Sequence, residues 1–123
     1  MLLTDFYTIT DLHETAPGAY TVTITLNATH PLYAGHFPGN PIVPGVCTLQ
    51  IIKECCEQVL GLQLMITRIA SCKFTNMIRP GINNILEITL ALTTDTGNNY
   101  NCRAEVRDTT TTYLKLKASY IAV

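Results

Sequence analysis

At 123 residues, with 47% apolar and 14% charged side chains and a formal net charge of −1, the chain is long enough to bury a core and reads as one domain over 1–123. The near-neutral balance argues against nucleic acid or an anionic membrane as the main partner, and no apolar run reaches membrane-spanning length. So little charge on so apolar a chain points to an oligomer that hides part of its surface.

Met1-Leu2-Leu3 leads into Thr4-Asp5, with no basic segment followed by an apolar signal core, so the cytoplasm is the expected location. Phe6 to Glu14 alternates well enough for a strand, and His13 in it, beside Asp11 and Glu14, reads as a surface residue. Thr15-Ala16-Pro17-Gly18 reads as a turn, with Gly18 supplying a positive φ. Ala19 to Leu26 is a clear strand, with Tyr20, Val22, Ile24 and Leu26 on one side and three threonines on the other. The two strands close a hairpin. Asn27 to Ala34 is a connection holding His30-Pro31. His30 reads as a loop histidine facing water, with a second titrating group near a site entrance as the alternative.

The stretch from Gly35 to Gly61 organises the chain. Pro38, Pro41 and Pro44 each fix φ and remove a backbone donor, so the loop around His36 is rigid and can run close to a ligand. Pro44 sits where a first helical residue would, and Gly61 where a helix would stop. Between them Leu49, Ile51, Ile52, Cys55, Cys56, Val59 and Leu60 project onto a wide apolar arc, and Gln50, Lys53, Glu54, Glu57 and Gln58 take the remainder. That width suits a helix which a sheet curls around. The five cysteines (Cys47, Cys55, Cys56, Cys72, Cys102) are odd in number and lack metal-type spacing, so they read as small buried hydrophobes in a reducing compartment.

After Gly61 the pattern turns to β. Leu64 to Met77 is a long extended stretch, Arg79-Pro80-Gly81 a turn, and Asn84 to Thr94 a strand. Asp95 to Asn99 is a hairpin turn, and Tyr100 to Arg107 pairs with Thr112 to Ala122. The expected order is ββαββββ, an α+β fold with one central helix and an antiparallel sheet.

His36 is the best candidate for chemistry, because imidazole titrates where general-base work is done; a structural ring bonded to a nearby carbonyl is the alternative. Gly45 and Val46 open the helix, so their N–H groups lack intrahelical partners and lie at the positive end of its dipole, where they can polarise a carbonyl oxygen.

GHFPGNPIVPGV, followed by a helix, resembles the signature of the 3-hydroxyacyl-(acyl carrier protein) dehydratases of fatty acid synthesis. Pro31 ahead of His36, and Lys73-Phe74 followed by Arg79-Pro80-Gly81, fit the same pattern. The resemblance runs over nearly the whole chain from Phe6. It implies the hot-dog fold, a long helix wrapped by a curved antiparallel sheet, in a homodimer or dimer-based higher oligomer whose sites take groups from both subunits. It implies a 3-hydroxyacyl thioester on an acyl carrier protein or coenzyme A as partner, and neither cofactor nor metal. In these terms His36 takes the α-proton, and Gly45, with Val46 beside it, binds the thioester oxygen. Phe37 and Pro38 are expected at the substrate; Tyr33 and Phe37, which flank Gly35-His36, read equally as the gate of an acyl tunnel or as packing.

The family's helix acid, fourteen positions after the histidine, falls here on Gln50. An amide can hold a hydroxyl or a water, but cannot deliver a proton as a carboxylic acid does. Glu54, one turn later on the same face, offers a displaced acid about 5 Å along the axis. Its plain alternative is a solvated or dimer-contact carboxylate pairing with Lys53 or Gln58, and Glu57 is expected to pair with Lys53. Two rival functions stay open: a thioesterase with water held by Gln50 or Glu54 and activated by His36, and a non-catalytic acyl-thioester binding or assembly subunit.

Overall fold

The computed structural model describes residues 4–35, 39, 41–82 and 84–123. Six strands, β1 (Tyr7–Ala16), β2 (Ala19–Leu26), β3 (Leu64–Phe74), β4 (Ile85–Thr94), β5 (Asn99–Arg107) and β6 (Thr112–Ala122), form one sheet in the order β1-β2-β4-β5-β6-β3. All neighbours are antiparallel. One long helix, α2 (Gly45–Leu60), lies against the inner face, and a single turn, α1 (Leu32–Gly35), precedes it. This is the hot-dog arrangement.

Alternation decides which face each strand buries. Val22, Ile24 and Leu26 on β2, Leu86, Ile88 and Leu90 on β4, and Leu114, Leu116 and Tyr120 on β6 point inward and are buried. They meet Ile51, Ile52, Cys55 and Cys56 of α2 in one core. Each such side chain contributes roughly 1.5–3 kcal/mol by leaving water. The α2 apolar arc is therefore as expected, with one exception: Glu54 is buried on the arc that should have been solvated.

Pro44 is the residue before the helix rather than its first member, with extended geometry. The helix stops at Gly61, which adopts φ 66° and donates its N–H to Glu57 O over 2.8 Å, while Leu62 N–H reaches the same oxygen over 3.3 Å. Gly18 has φ 77°, and an added Cβ would lie 2.7 Å from Leu92 O, so the first hairpin and β4 approach too closely for any other residue.

Three local details differ from expectation. The connection after β2 contains α1, whose Leu32 N–H is taken by His30 Nδ1 over 3.0 Å. His30 Nε2 then donates to Thr4 O over 3.1 Å, and Phe6 packs edge-on against the ring. His30 is thus a half-buried structural residue rather than one facing water. The long stretch after Gly61 leaves the sheet at Phe74 instead of Met77, where Thr75 Oγ1 and Asn76 Nδ2 both bond Thr112 O.

Cys55 and Cys56 are buried free thiols, and burial pushes the Cys55 thiol up to about 12, so they serve as core atoms. Among the described residues no helix is long and apolar enough to cross a membrane.

Candidate functional site

The candidate site is built around the N-terminal half of α2. His36, Phe37 and Pro38 lie outside the described residues, in the stretch between the end of α1 at Gly35 and the start of α2 at Gly45. Gly45 and Val46 open the helix without a side-chain cap from Pro44, so the first-turn N–H groups face outward from the helix end. Val46 is 75% exposed. The Phe74 ring lies over Gly45: a Cβ added there would sit 2.9 Å from its Cζ atom. Glycine at this position lets an aromatic edge approach the helix start.

One turn further on, Gln50 and Glu54 come together as the spacing predicts. Gln50 Nε2 donates to Glu54 Oε2 over 2.9 Å. The other carboxylate oxygen, Oε1, accepts the Tyr7 hydroxyl over 2.7 Å. Glu54 is 3% exposed, so it is not the solvated carboxylate of the plain alternative. Nothing on α2 signals this burial, because the Tyr7 hydroxyl comes from β1, 47 residues away. Lys53 instead sits 3.7 Å from Glu57, as expected. Burial, and then the bond to Glu54, raise the Tyr7 pKa far above its usual value, which keeps the phenol a permanent donor.

Tyr7 is the residue that sequence reasoning missed. The available signal was an aromatic at an inward position of the first strand, and that reads as core packing. Tyr33, the last aromatic before the loop, is buried against Phe6 with ring centroids 5.6 Å apart. His13 is exposed, as expected, and its ring bonds Asp11. Among the described residues no group of three or more His, Cys, Asp or Glu is placed to hold a metal ion.

The inner face of β3 is only partly covered. Ile66, Ile69 and Phe74 lie opposite Tyr120, Ala118 and Leu114, all buried, yet Ile69 is 47% and Phe74 53% exposed. β3 is also an edge strand, so an apolar surface and an unpaired backbone row coincide beside the helix start.

Residues 12–113 match the family model of the ApeI-like dehydratases. The chain belongs to that family. As an ApeI-like chain it is 36% identical over 74 residues to a 3-hydroxyacyl-[acyl-carrier-protein] dehydratase of Thermoanaerobacter, covering 51% of this chain and 49% of the relative. It is 30% identical over 95 residues to the corresponding enzyme of Lactobacillus helveticus, covering 72% and 63%. The alignment thus spans about half to two thirds of the length of these relatives. Among solved structures, the dehydratase heterocomplex ApeI:P of Xenorhabdus doucetiae superposes with a TM-score of 0.72 at 19% identity, over 93% of this chain and 96% of that one. A thioesterase of Staphylococcus aureus superposes with a TM-score of 0.66 at 8% identity, over 98% and 97%. At such identities these two likenesses show the hot-dog fold alone, while the match over residues 12–113 carries the family.

Proposed function

We propose that this ApeI-like protein eliminates water from a 3-hydroxyacyl thioester. His36 takes the α-proton, the C3–O bond breaks, and the imidazolium returns that proton to the departing hydroxyl, leaving a 2-enoyl thioester, water and a neutral histidine. The N–H at Gly45, beside exposed Val46, binds the thioester oxygen as negative charge builds on it. Phe37 and Pro38 border the acyl chain. Gln50 holds the leaving hydroxyl, and Glu54 stands behind Gln50. The observation that carries the reading is the Gln50–Glu54 pair on the helix face where the family keeps its acid.

The acting unit is a dimer or a dimer-based higher oligomer, in which His36 of one protomer meets Gln50 of the other. The uncovered inner face of β3 supports this, since a second copy would cover Ile66, Ile69 and Phe74 and pair the free edge. The thioester arrives on an acyl carrier protein or coenzyme A. Both are anionic, and six of the chain's eight lysines and arginines (Arg68, Lys73, Arg103, Arg107, Lys115, Lys117) share the outer face of β5, β6 and β3. Reversing Lys115 and Lys117 to glutamate should raise KM for the carrier-bound substrate and leave a bare pantetheine thioester unaffected; equal effects on both would remove this surface from the account.

The deciding experiment follows enoyl absorbance and free thiol together on 3-hydroxyacyl thioesters of several lengths. Enoyl product that disappears in His36→Ala supports the dehydratase. Free thiol without enoyl selects the thioesterase. Acyl binding with neither product, unchanged by His36→Ala, selects a binding or assembly subunit.

A further inference from the structure

The hydrogen bonds behind Gln50 have a direction. Tyr7 donates to Glu54 Oε1 and Gln50 Nε2 donates to Glu54 Oε2, so the carboxylate accepts from both sides and each of its oxygens is occupied. Toward the carboxylate Tyr7 donates, and burial and the bond to Glu54 hold its proton in place. Gln50 can be turned either way, since its amide carries donors at one end and an acceptor at the other. By taking an N–H from Gln50, Glu54 fixes that choice and leaves Oε1 of the amide directed away from the carboxylate.

We propose that Tyr7 and Glu54 are positioning residues that lock the Gln50 amide with its oxygen toward the substrate, where it accepts the 3-hydroxyl hydrogen. This rests on the dehydratase reading for the identity of the hydroxyl, but not for the orientation of the amide. The bonds then converge on the carboxylate: the substrate O–H donates to Gln50 Oε1 and the Gln50 N–H to Glu54 Oε2, while the Tyr7 O–H donates to Glu54 Oε1 from the other side. The two bonds through Gln50 are aligned in one sense and polarise each other, and a carboxylate on the amide N–H makes the amide oxygen a better acceptor, while Tyr7 holds that carboxylate in place. Holding the hydroxyl by its hydrogen turns an oxygen lone pair outward, where a proton returned by an imidazolium can be received. Gln50 thereby acts without delivering a proton, and the buried Glu54 acts without touching the substrate. The groups facing this carboxylate among the described residues are Tyr7 from β1 and Gln50 and Cys55 from its own helix.

The orientation makes a 3-hydroxyl distinguishable from its absence, in binding as well as in turnover. The test uses two inert acyl-amide analogues of the thioester, one with and one without a 3-hydroxyl, and measures the ratio of their affinities alongside kcat and KM. Wild type should favour the hydroxylated analogue by roughly tenfold. Tyr7→Phe keeps the ring and should shrink that preference and lower kcat by a similar factor, with KM for the thioester within about twofold. Glu54→Gln keeps the shape but can donate to Gln50 Oε1, which turns the amide round, so the preference should vanish. In the Glu54→Gln background Tyr7→Phe should change nothing further, whereas a merely structural tyrosine would lower both variants equally. Glu54→Gln alone decides the matter if Tyr7→Phe does not fold. A wild type that turns over normally while its hydroxyl preference is untouched by either variant overturns the inference and spares the dehydratase. A hydroxyl preference that falls in both variants without any turnover supports the inference and sinks the dehydratase. No preference in the wild type overturns the inference outright.

Discussion

Gln50 gives one amide hydrogen to the Glu54 carboxylate over 2.9 Å, one helical turn apart on α2. Since Glu54 is buried, this bond is part of what makes its charge tolerable inside the protein. Gln50→Leu would leave Oε2 without that donor. We expect a loss of about 1–3 kcal/mol of stability, measured by urea unfolding at neutral pH. A loss well under 0.5 kcal/mol would mean that solvent already reaches the carboxylate.

Gly45 separates stability from turnover. Its φ is not left-handed, and replacing glycine at a helix start with a better helix former is neutral or mildly stabilising. The cost falls on Phe74, whose ring edge must move away from a Cβ placed 2.9 Å from it. Gly45→Ala should therefore keep the melting temperature within a few degrees while lowering kcat/KM. An unchanged kcat/KM would show that the Phe74 ring and the first-turn N–H have no part in binding the thioester.

The β3 edge predicts an assembly. Ile69→Asp puts a charge on an inner-face position that is already 47% exposed, so the folded monomer should tolerate it. Sedimentation should show a dimer for the wild type and a monomer for this variant, with turnover lost alongside. An active monomer would contradict a site shared between protomers.

Asp108 sets a low-pH limit on the β5–β6 turn. The Tyr113 hydroxyl, the N–H groups of Thr110 and Thr111 and the Thr110 hydroxyl all donate to it and hold its carboxyl at about 2. A carboxyl depressed on folding stabilises the fold above its unfolded value of about 3.9, and that contribution drains away as pH falls toward the folded value. The stability gap between wild type and Asp108→Asn should thus be constant above about pH 5 and shrink between about pH 4 and pH 2. A gap that is flat across that window would mean the turn does not depend on the charge.

Much of the fold was legible in local pattern. Alternation placed β2 at Ala19–Leu26, and Gly61 ended the helix, because both signals are carried by neighbouring residues. α1 was missed because a single turn has too few residues for a period, and a histidine side chain two positions earlier holds its first N–H. The burial of Glu54 was missed for a different reason. One residue that helps make it tolerable is Tyr7, and only folding brings β1 across α2. The pairing of Gln50 with Glu54 was readable from their spacing, whereas the direction of its hydrogen bonds was not.

The account stands most directly on an exchange of two side chains. Gln50→Glu combined with Glu54→Gln returns the carboxylate to the position where the family carries its acid and leaves an amide behind it. Initial rates of enoyl formation should fall in Glu54→Gln alone by about tenfold or more and return to at least the wild-type rate in the double variant. A double variant no faster than Glu54→Gln alone, beside a wild type that turns over, would contradict the claim that Gln50, backed by Glu54, stands at the leaving hydroxyl.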